Sequence, residues 1–227
     1  MLPVSALLIE EYHQAATGRK SCYALLAEVF ASAPTADSFV LCAQGFAGLE
    51  DLFARLPGAG EAYAVLRAAY RDESGEASGE TLERLSREYS ALFETHNRIY
   101  PNASCWEEGH RPQLLGEAAR RAQDSYQAAG FTMAEGELLK VDHIATELLF
   151  LSYLAEPAGG SAAGEGGDAD GASGLEQSRN FFEQVFLPWA PRFFDAVGEA
   201  PERSAYYAAW ARLARAFIDA DAAAWMN

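Results

Sequence analysis

The stretch Glu137–Ala155, ELLKVDHIATELLFLSYLA, constrains this chain more than any other. It is mostly apolar and reads as a helix, which must pack against other elements. Yet it carries Asp142 and His143, and Glu147 follows four residues after the histidine. Burying a charge without a partner is costly, so such groups are paired, hydrogen-bonded or set on a polar face. The trio either has partners inside the fold or lines a place where a partner arrives.

The remaining periodicity is helical almost throughout. Leu8, Tyr12, Ala15, Tyr23, Leu26 and Phe30 recur at helical spacing over 5–31, with Gly18 as a point of kinking or division. Phe39, Phe46, Leu49, Phe53 and Leu56 predict a second helix closed by Pro57-Gly58. Tyr63, Leu66 and Tyr70 predict a short third, and Leu82–Phe93 an amphipathic fourth. Residues 96–112 are irregular, broken by Pro101, Asn102, Gly109 and Pro112. Helix resumes over 113–129 and stops at Gly130. Residues 159–174, GGSAAGEGGDADGASG, lack side chains that pack and are expected to form a flexible loop within 157–174. Pro188 and Pro191 interrupt the next helix, and Pro201 is placed as the first residue of the last one. No alternating strand pattern and no repeat is found. The expectation is an all-α fold of roughly eight to ten helices. An N-terminal lobe over 1–130 and a C-terminal lobe over 131–227 would be integrated into one domain.

Charge and cysteine content narrow the function classes. The 227 residues carry 33 Asp and Glu against 17 Lys and Arg, a formal charge of -16. Phosphate binding relies on Lys and Arg, so nucleic acid is not an expected partner. The same charge keeps a protein soluble and attracts basic peptides. Cys22, Cys42 and Cys105 form no CxxC, which argues for reduced, mostly buried thiols in a cytoplasmic protein. The N-terminus, MLPVSALLIEEYHQ, makes a poor signal peptide, and no apolar run approaches the ~20 residues of a membrane span.

Three kinds of chemistry come into question. Asp142, His143 and Glu147 are acceptable metal ligands, and i, i+4 spacing puts His143 and Glu147 on one helix face. Helical metal bundles draw Glu-x-x-His pairs from several helices, however, and no second such motif exists here. A small metal-binding helical-bundle enzyme is therefore the alternative reading, against an ordinary intrahelical ion pair of His143 with Glu147. Cys105 lies between His96 and His110, but nothing fixes a Cys–His pair; GxSxG and phosphate-binding glycine loops are absent, so the chain is not read as an enzyme and no cofactor is expected. Peptide binding remains. Over 87–108, Tyr89, Phe93, Tyr100 and Trp106 stand beside Glu94, Glu107 and Glu108, offering walls for an apolar run and carboxylates for guanidinium groups. Tyr89 and Phe93 read as core, whereas Trp106 in its loop is open to either role.

These residues resemble a known family. Tyr89–Phe93 (YSALF), a loop with Pro101, Ser104 and Trp106, Gly130-Phe131, Asp142–Leu154 and then FLPWAPRFFDAV (Phe186–Val197) are similar, over about residues 5–220, to the TorD/DmsD/NarJ family of cytoplasmic chaperones for molybdenum-containing respiratory oxidoreductases. The resemblance implies an all-helical fold. It also implies binding of the twin-arginine signal peptide on the partner's catalytic subunit, which delays export until cofactor insertion is complete, by a monomer or a domain-swapped dimer. The family pattern E-P-x-D-H is matched at Asp142 and His143; Leu139 and Lys140 replace its Glu and Pro. The expected peptide site comprises Asp142 as acceptor for an arginine, His143 and Glu147 beside it, and Tyr100, Ser104, Trp106 and Glu107 along the peptide.

Overall fold

The computed structural model describes residues 4–70, 77–107, 116–132, 141–155 and 176–225. Among these every regular element is helical, as the periodicity predicts. The helices are α1 (Val4–Ala31), α2 (Ala36–Gly48), α3 (Glu50–Phe53), α4 (Gly60–Ala69), α5 (Gly79–Phe93), α6 (Ser104–Glu107), α7 (Glu117–Ala128) and α8 (Ile144–Leu154), then α9 (Ala190–Gly198) and α10 (Ala205–Trp225). Residues 176–181 are also helical and run into a π-helical turn at Phe182–Phe186. The glycine-rich segment 159–174, together with Leu139, Lys140, Glu135 and Glu137, lies outside the described residues.

Local chemistry sets several boundaries. Thr35 caps α2 through a reciprocal box: its Oγ1 accepts from Ser38 N at 3.1 Å, and Ser38 Oγ accepts from Thr35 N at 2.8 Å. The long helix read over 39–56 divides at Leu49, which closes α2 and opens α3. α7 ends where Gly130 takes φ +68°. Phe131 N then reaches Tyr126 O at 2.9 Å and Gly130 N reaches Gln127 O at 3.1 Å, while the Tyr126 and Phe131 rings meet at 5.3 Å. This is a Schellman closure with its apolar contact. Gly18, by contrast, does not divide α1. The last helix starts later than Pro201: residues 201–203 form a turn, and Ser204 Oγ accepts from Tyr207 N at 3.1 Å at the head of α10. A side-chain acceptor satisfies an orphan amide there, which proline at the first position does not do.

One cluster of buried side chains runs from Cys22 in α1 through Leu148 in α8 to Ile218 in α10. α1 packs along α8, and α10 packs against both α9 and α4, so residues from 1–130 and 131–227 share that core. Trp189, Trp210, Tyr23, Tyr207 and several phenylalanines are its largest enclosed side chains. Polar ties join the helices at specific points. Asp221 near the end of α10 accepts from Tyr23 Oη and from Arg19 Nε, both at 2.6 Å, fixing that helix to α1. Burial, and then the Asp221 charge, push the Tyr23 phenol well up, so it stays a donor. Ser152 Oγ donates to Lys20 O at 3.0 Å and ties α8 to the same helix.

Gly130 tests the closure of α7. Gly130→Ala forces a side chain into the left-handed region and is expected to lower unfolding free energy by about 1–2 kcal/mol in urea titration. Gly18→Ala, in helical backbone with open space around a Cβ, is expected to be neutral or stabilising.

Candidate functional site

Asp142 and His143 do not lie inside the apolar helix. α8 begins at Ile144, His143 is its N-cap with extended backbone (φ -80°, ψ 141°), and Nδ1 of that histidine accepts from Ala145 N at 3.2 Å. Asp142 therefore sits in the turn that leads into α8, where the chain pairs with the irregular stretch before α6. Asn102 and His143 form an antiparallel bridge; Ala103 N donates to Asp142 O at 2.9 Å and Ile144 N to Pro101 O at 2.8 Å.

The Asp142 side chain completes that junction. It is 0% exposed. One oxygen accepts from Ser104 N at 3.0 Å and Ser104 Oγ at 2.5 Å; the other accepts from Asn102 Nδ2 at 3.2 Å. Three donors on one carboxylate offset much of the cost of its burial. The sequence reading expects this group to be accessible to an incoming arginine. The structure encloses it instead, and its oxygens already accept from the loop 102–104. In this arrangement Asp142 shapes the loop rather than presenting its charge at the surface.

Glu147 has a parallel role, one turn into α8. It too is 0% exposed, and its Oε2 accepts from the Trp189 indole Nε1 at 2.9 Å. That bond joins the DHIATEL segment to LPW. The π turn prepares it: Leu187 N reaches back to Phe182 O at 2.9 Å, five residues, just before Pro188, which has no amide to donate. Burial, then the charges of Glu147 and Asp142, push the Tyr126 phenol well up, and its Oη donates to Val141 O at 2.9 Å. The alternative of a metal centre on Asp142, His143 and Glu147 is not favoured. Each offers acceptor atoms to donors of the chain itself, and no metal-holding group of His, Cys, Asp or Glu occurs among the described residues.

The loop held by Asp142 carries the half-exposed aromatics. Tyr100 and Trp106 are both of intermediate exposure, and Trp106 Nε1 donates to Tyr100 O at 2.7 Å. The inner edge of Trp106 meets Phe193 of α9 at 6.4 Å between centroids. Two arginines lie on the two rings: Arg98 over Tyr100 at 4.4 Å, and Arg192 over Trp106 at 5.5 Å. Arg192 Nη2 also donates to Trp106 O at 2.7 Å. Tyr89 and Phe93 are core, as read. Glu107 ends α6, and its side chain lies outside the described residues, as does Glu108. Asn102, Trp189, Arg98 and Arg192 join this constellation without having been expected in it. Trp189 had a signal, since LPW is among the segments that carry the resemblance; the arginines had none beyond lying near aromatics.

The carboxylate's role has a direct test. Asp142→Asn replaces an acceptor oxygen by an NH2 facing donors, so it is expected to cost about 2–4 kcal/mol of stability. Hydrogen exchange should show lost protection at the Ser104 and Ala103 amides. Unchanged protection at both would exclude the anchoring role.

Comparison with known proteins accords with this architecture. A protein-family model described as nitrate reductase delta subunit matches residues 55–195, which include α4–α8, the π turn and most of α9. Among solved structures, a candidate redox-enzyme maturation protein from Archaeoglobus fulgidus is 24% identical and superposes with a TM-score of 0.55, covering 88% of this chain and 93% of that one; at this identity the likeness concerns the fold. No curated protein matches. The matched span contains the junction of Asp142 with Ser104 and that of Glu147 with Trp189, and because the family model spans more than half of the chain, the chain belongs to the nitrate reductase delta subunit family, the NarJ/TorD-type chaperones.

Proposed function

We propose that this protein binds the twin-arginine leader peptide of the catalytic subunit of a molybdenum-containing oxidoreductase, holds it back from export in the cytoplasm while the cofactor is inserted, and catalyses no reaction. Family membership supports a maturation role. The observation that carries the peptide reading is the loop 98–107, whose Tyr100 and Trp106 rings are half-exposed and whose shape is set from beneath by a buried carboxylate.

The roles divide by depth. Tyr100 and Trp106 are the contact surface for guanidinium groups and the adjoining apolar run, with Glu107 at the edge of the loop. Asp142 and Ser104 hold that loop, His143 caps α8 beside it, and Glu147 ties α8 to Trp189; these four are positioning residues. A chain of net charge -16 draws a basic leader toward itself over the range allowed by salt. Short-range discrimination then comes from flat ring faces, which suit a planar guanidinium better than a compact ammonium.

Titration of the purified chain with a synthetic peptide bearing two consecutive arginines before an apolar run tests this. Binding is expected, weakening as salt rises from low to physiological strength. A Lys-Lys version should bind about tenfold more weakly. Trp106→Ala should reduce affinity by roughly tenfold, an aromatic anchor's share, with thermal stability checked in parallel because Phe193 loses a neighbour. Equal affinity for the two peptides would overturn the proposal.

A further inference from the structure

The two ring faces of the loop are already covered by guanidinium groups of the chain itself. Arg98 stacks over Tyr100 with its Cζ 4.4 Å from the ring centroid. Arg192, an exposed residue of α9, holds its Cζ 5.5 Å from the Trp106 centroid while Nη2 donates to the Trp106 carbonyl at 2.7 Å. These two contacts differ in origin. Arg98 lies two residues from its ring, and local chain geometry brings it there. Arg192 is 86 residues away from Trp106 in sequence and reaches the loop from a different helix.

The geometry points to a guanidinium-binding subsite formed by the Trp106 ring face and its carbonyl oxygen, with Arg192 as an internal occupant that an arginine side chain of a partner peptide displaces. The inference rests on the peptide-binding reading above and adds to it a competitor built into the protein.

The chemistry follows from what Arg192 does there. Its fork satisfies the carbonyl with one N–H while the planar group remains against the indole, a combination open to another guanidinium and poorly matched by ammonium. The ring face does not need to form on binding. Trp106 is fixed by its own Nε1 bond to Tyr100 O at 2.7 Å and by the edge contact with Phe193. Ser104, two residues before it, is clamped by Asp142. Only the occupant has to move, and Arg192 is a long, exposed side chain. A site occupied from within is open for a fraction of the time, and the apparent affinity for an outside ligand falls by that fraction. The internal arginine thereby raises the threshold: a segment that brings one weak cation does not displace it, whereas a segment that brings a guanidinium together with an apolar run does.

The test uses the full chain and two synthetic peptides, one with two consecutive arginines ahead of an apolar run and one with lysines in their place. Arg192→Gln empties the subsite and is expected to bind the arginine peptide about threefold to tenfold more tightly than the unmodified protein. The gain should vanish for the lysine peptide. Arg67→Gln, on α4, removes the same charge elsewhere and should leave both affinities within error. Arg192→Lys keeps the charge and should give a smaller gain than glutamine. An arginine-peptide affinity that is unchanged or weaker in both Arg192 variants, while the unmodified protein binds that peptide in preference to the lysine form, overturns the internal competitor and leaves the peptide-binding reading intact. An equal gain from Arg67→Gln overturns it as well, since net charge then accounts for the effect. If the unmodified protein fails to distinguish the two peptides, the peptide-binding reading itself falls and this inference with it.

Discussion

A carboxylate enclosed by protein must find donors, and the donors it finds decide which regions of the chain come together. Asp142 recruits Ser104 and Asn102, some forty positions upstream, and with them the backbone pairing of Ala103 and Pro101 to Asp142 and Ile144. The stretch between α5 and α6 has little regular structure of its own; its form is imposed by that junction. Asp142 lies just before the N-terminus of α8 and Glu147 in its first turn, so the helix dipole favours both carboxylates. Glu147 applies the same logic on the other side, reaching Trp189 and thereby fixing the chain between the π turn and α9. α8 is thus a buried, mostly apolar strut, with two charged contacts at its head that place the loop at 102–104 and the segment around Trp189.

Much of this architecture is legible in residue patterning because helices here are amphipathic or wholly apolar, and a 3.6-residue period survives both conditions. Leu82, Leu85, Tyr89, Leu92 and Phe93 mark α5 unambiguously, and Gly130-Phe131 marks the end of α7 through a left-handed conformation that glycine adopts more readily than other residues. Boundaries that depend on side-chain acceptors are harder to see. Proline fits a first turn, so Pro201 marks the expected head of α10, but Ser204 provides an acceptor, and the acceptor decides the start. The apolar run before Ala155 hides a similar event: His143 acts as an N-cap, an unusual choice beside Ser, Thr, Asp or Asn, so the residue pattern starts the run several positions earlier than the helix begins.

The site is legible in its members and not in its layering. Residue type alone shows that Asp142 needs a partner; it does not show whether the partner is internal or external. Ser104 and Asn102 make that choice, and their relation to Asp142 exists only after the loop folds back. Segments that look most diagnostic, DHIATEL and LPW, turn out to be joined to each other through Glu147 and Trp189, and to the loop through Asp142. Likeness in those segments therefore reports how the loop is built. In the proposed peptide-binding role, ligand preference falls to the less distinctive residues at the loop surface, Tyr100 and Trp106, and to the arginines lying across them.

Under the proposed peptide-binding role, that separation bears on how an acidic protein distinguishes one basic ligand from another. Long-range attraction from a charge of -16 is shared by every cation and fades with salt, so it accelerates encounter without choosing between arginine and lysine. Choice requires contacts that differ for planar and compact cations at short range, and ring faces backed by a rigid loop provide them. An arginine already in place on such a face sharpens the choice further, because an entering group must exceed what the resident one supplies. Rigidity and the proposed competition act in sequence: the enclosed carboxylate fixes the loop that carries the indole, the fixed indole holds the resident guanidinium, and in the proposed displacement the resident guanidinium sets how strong an arriving one must be.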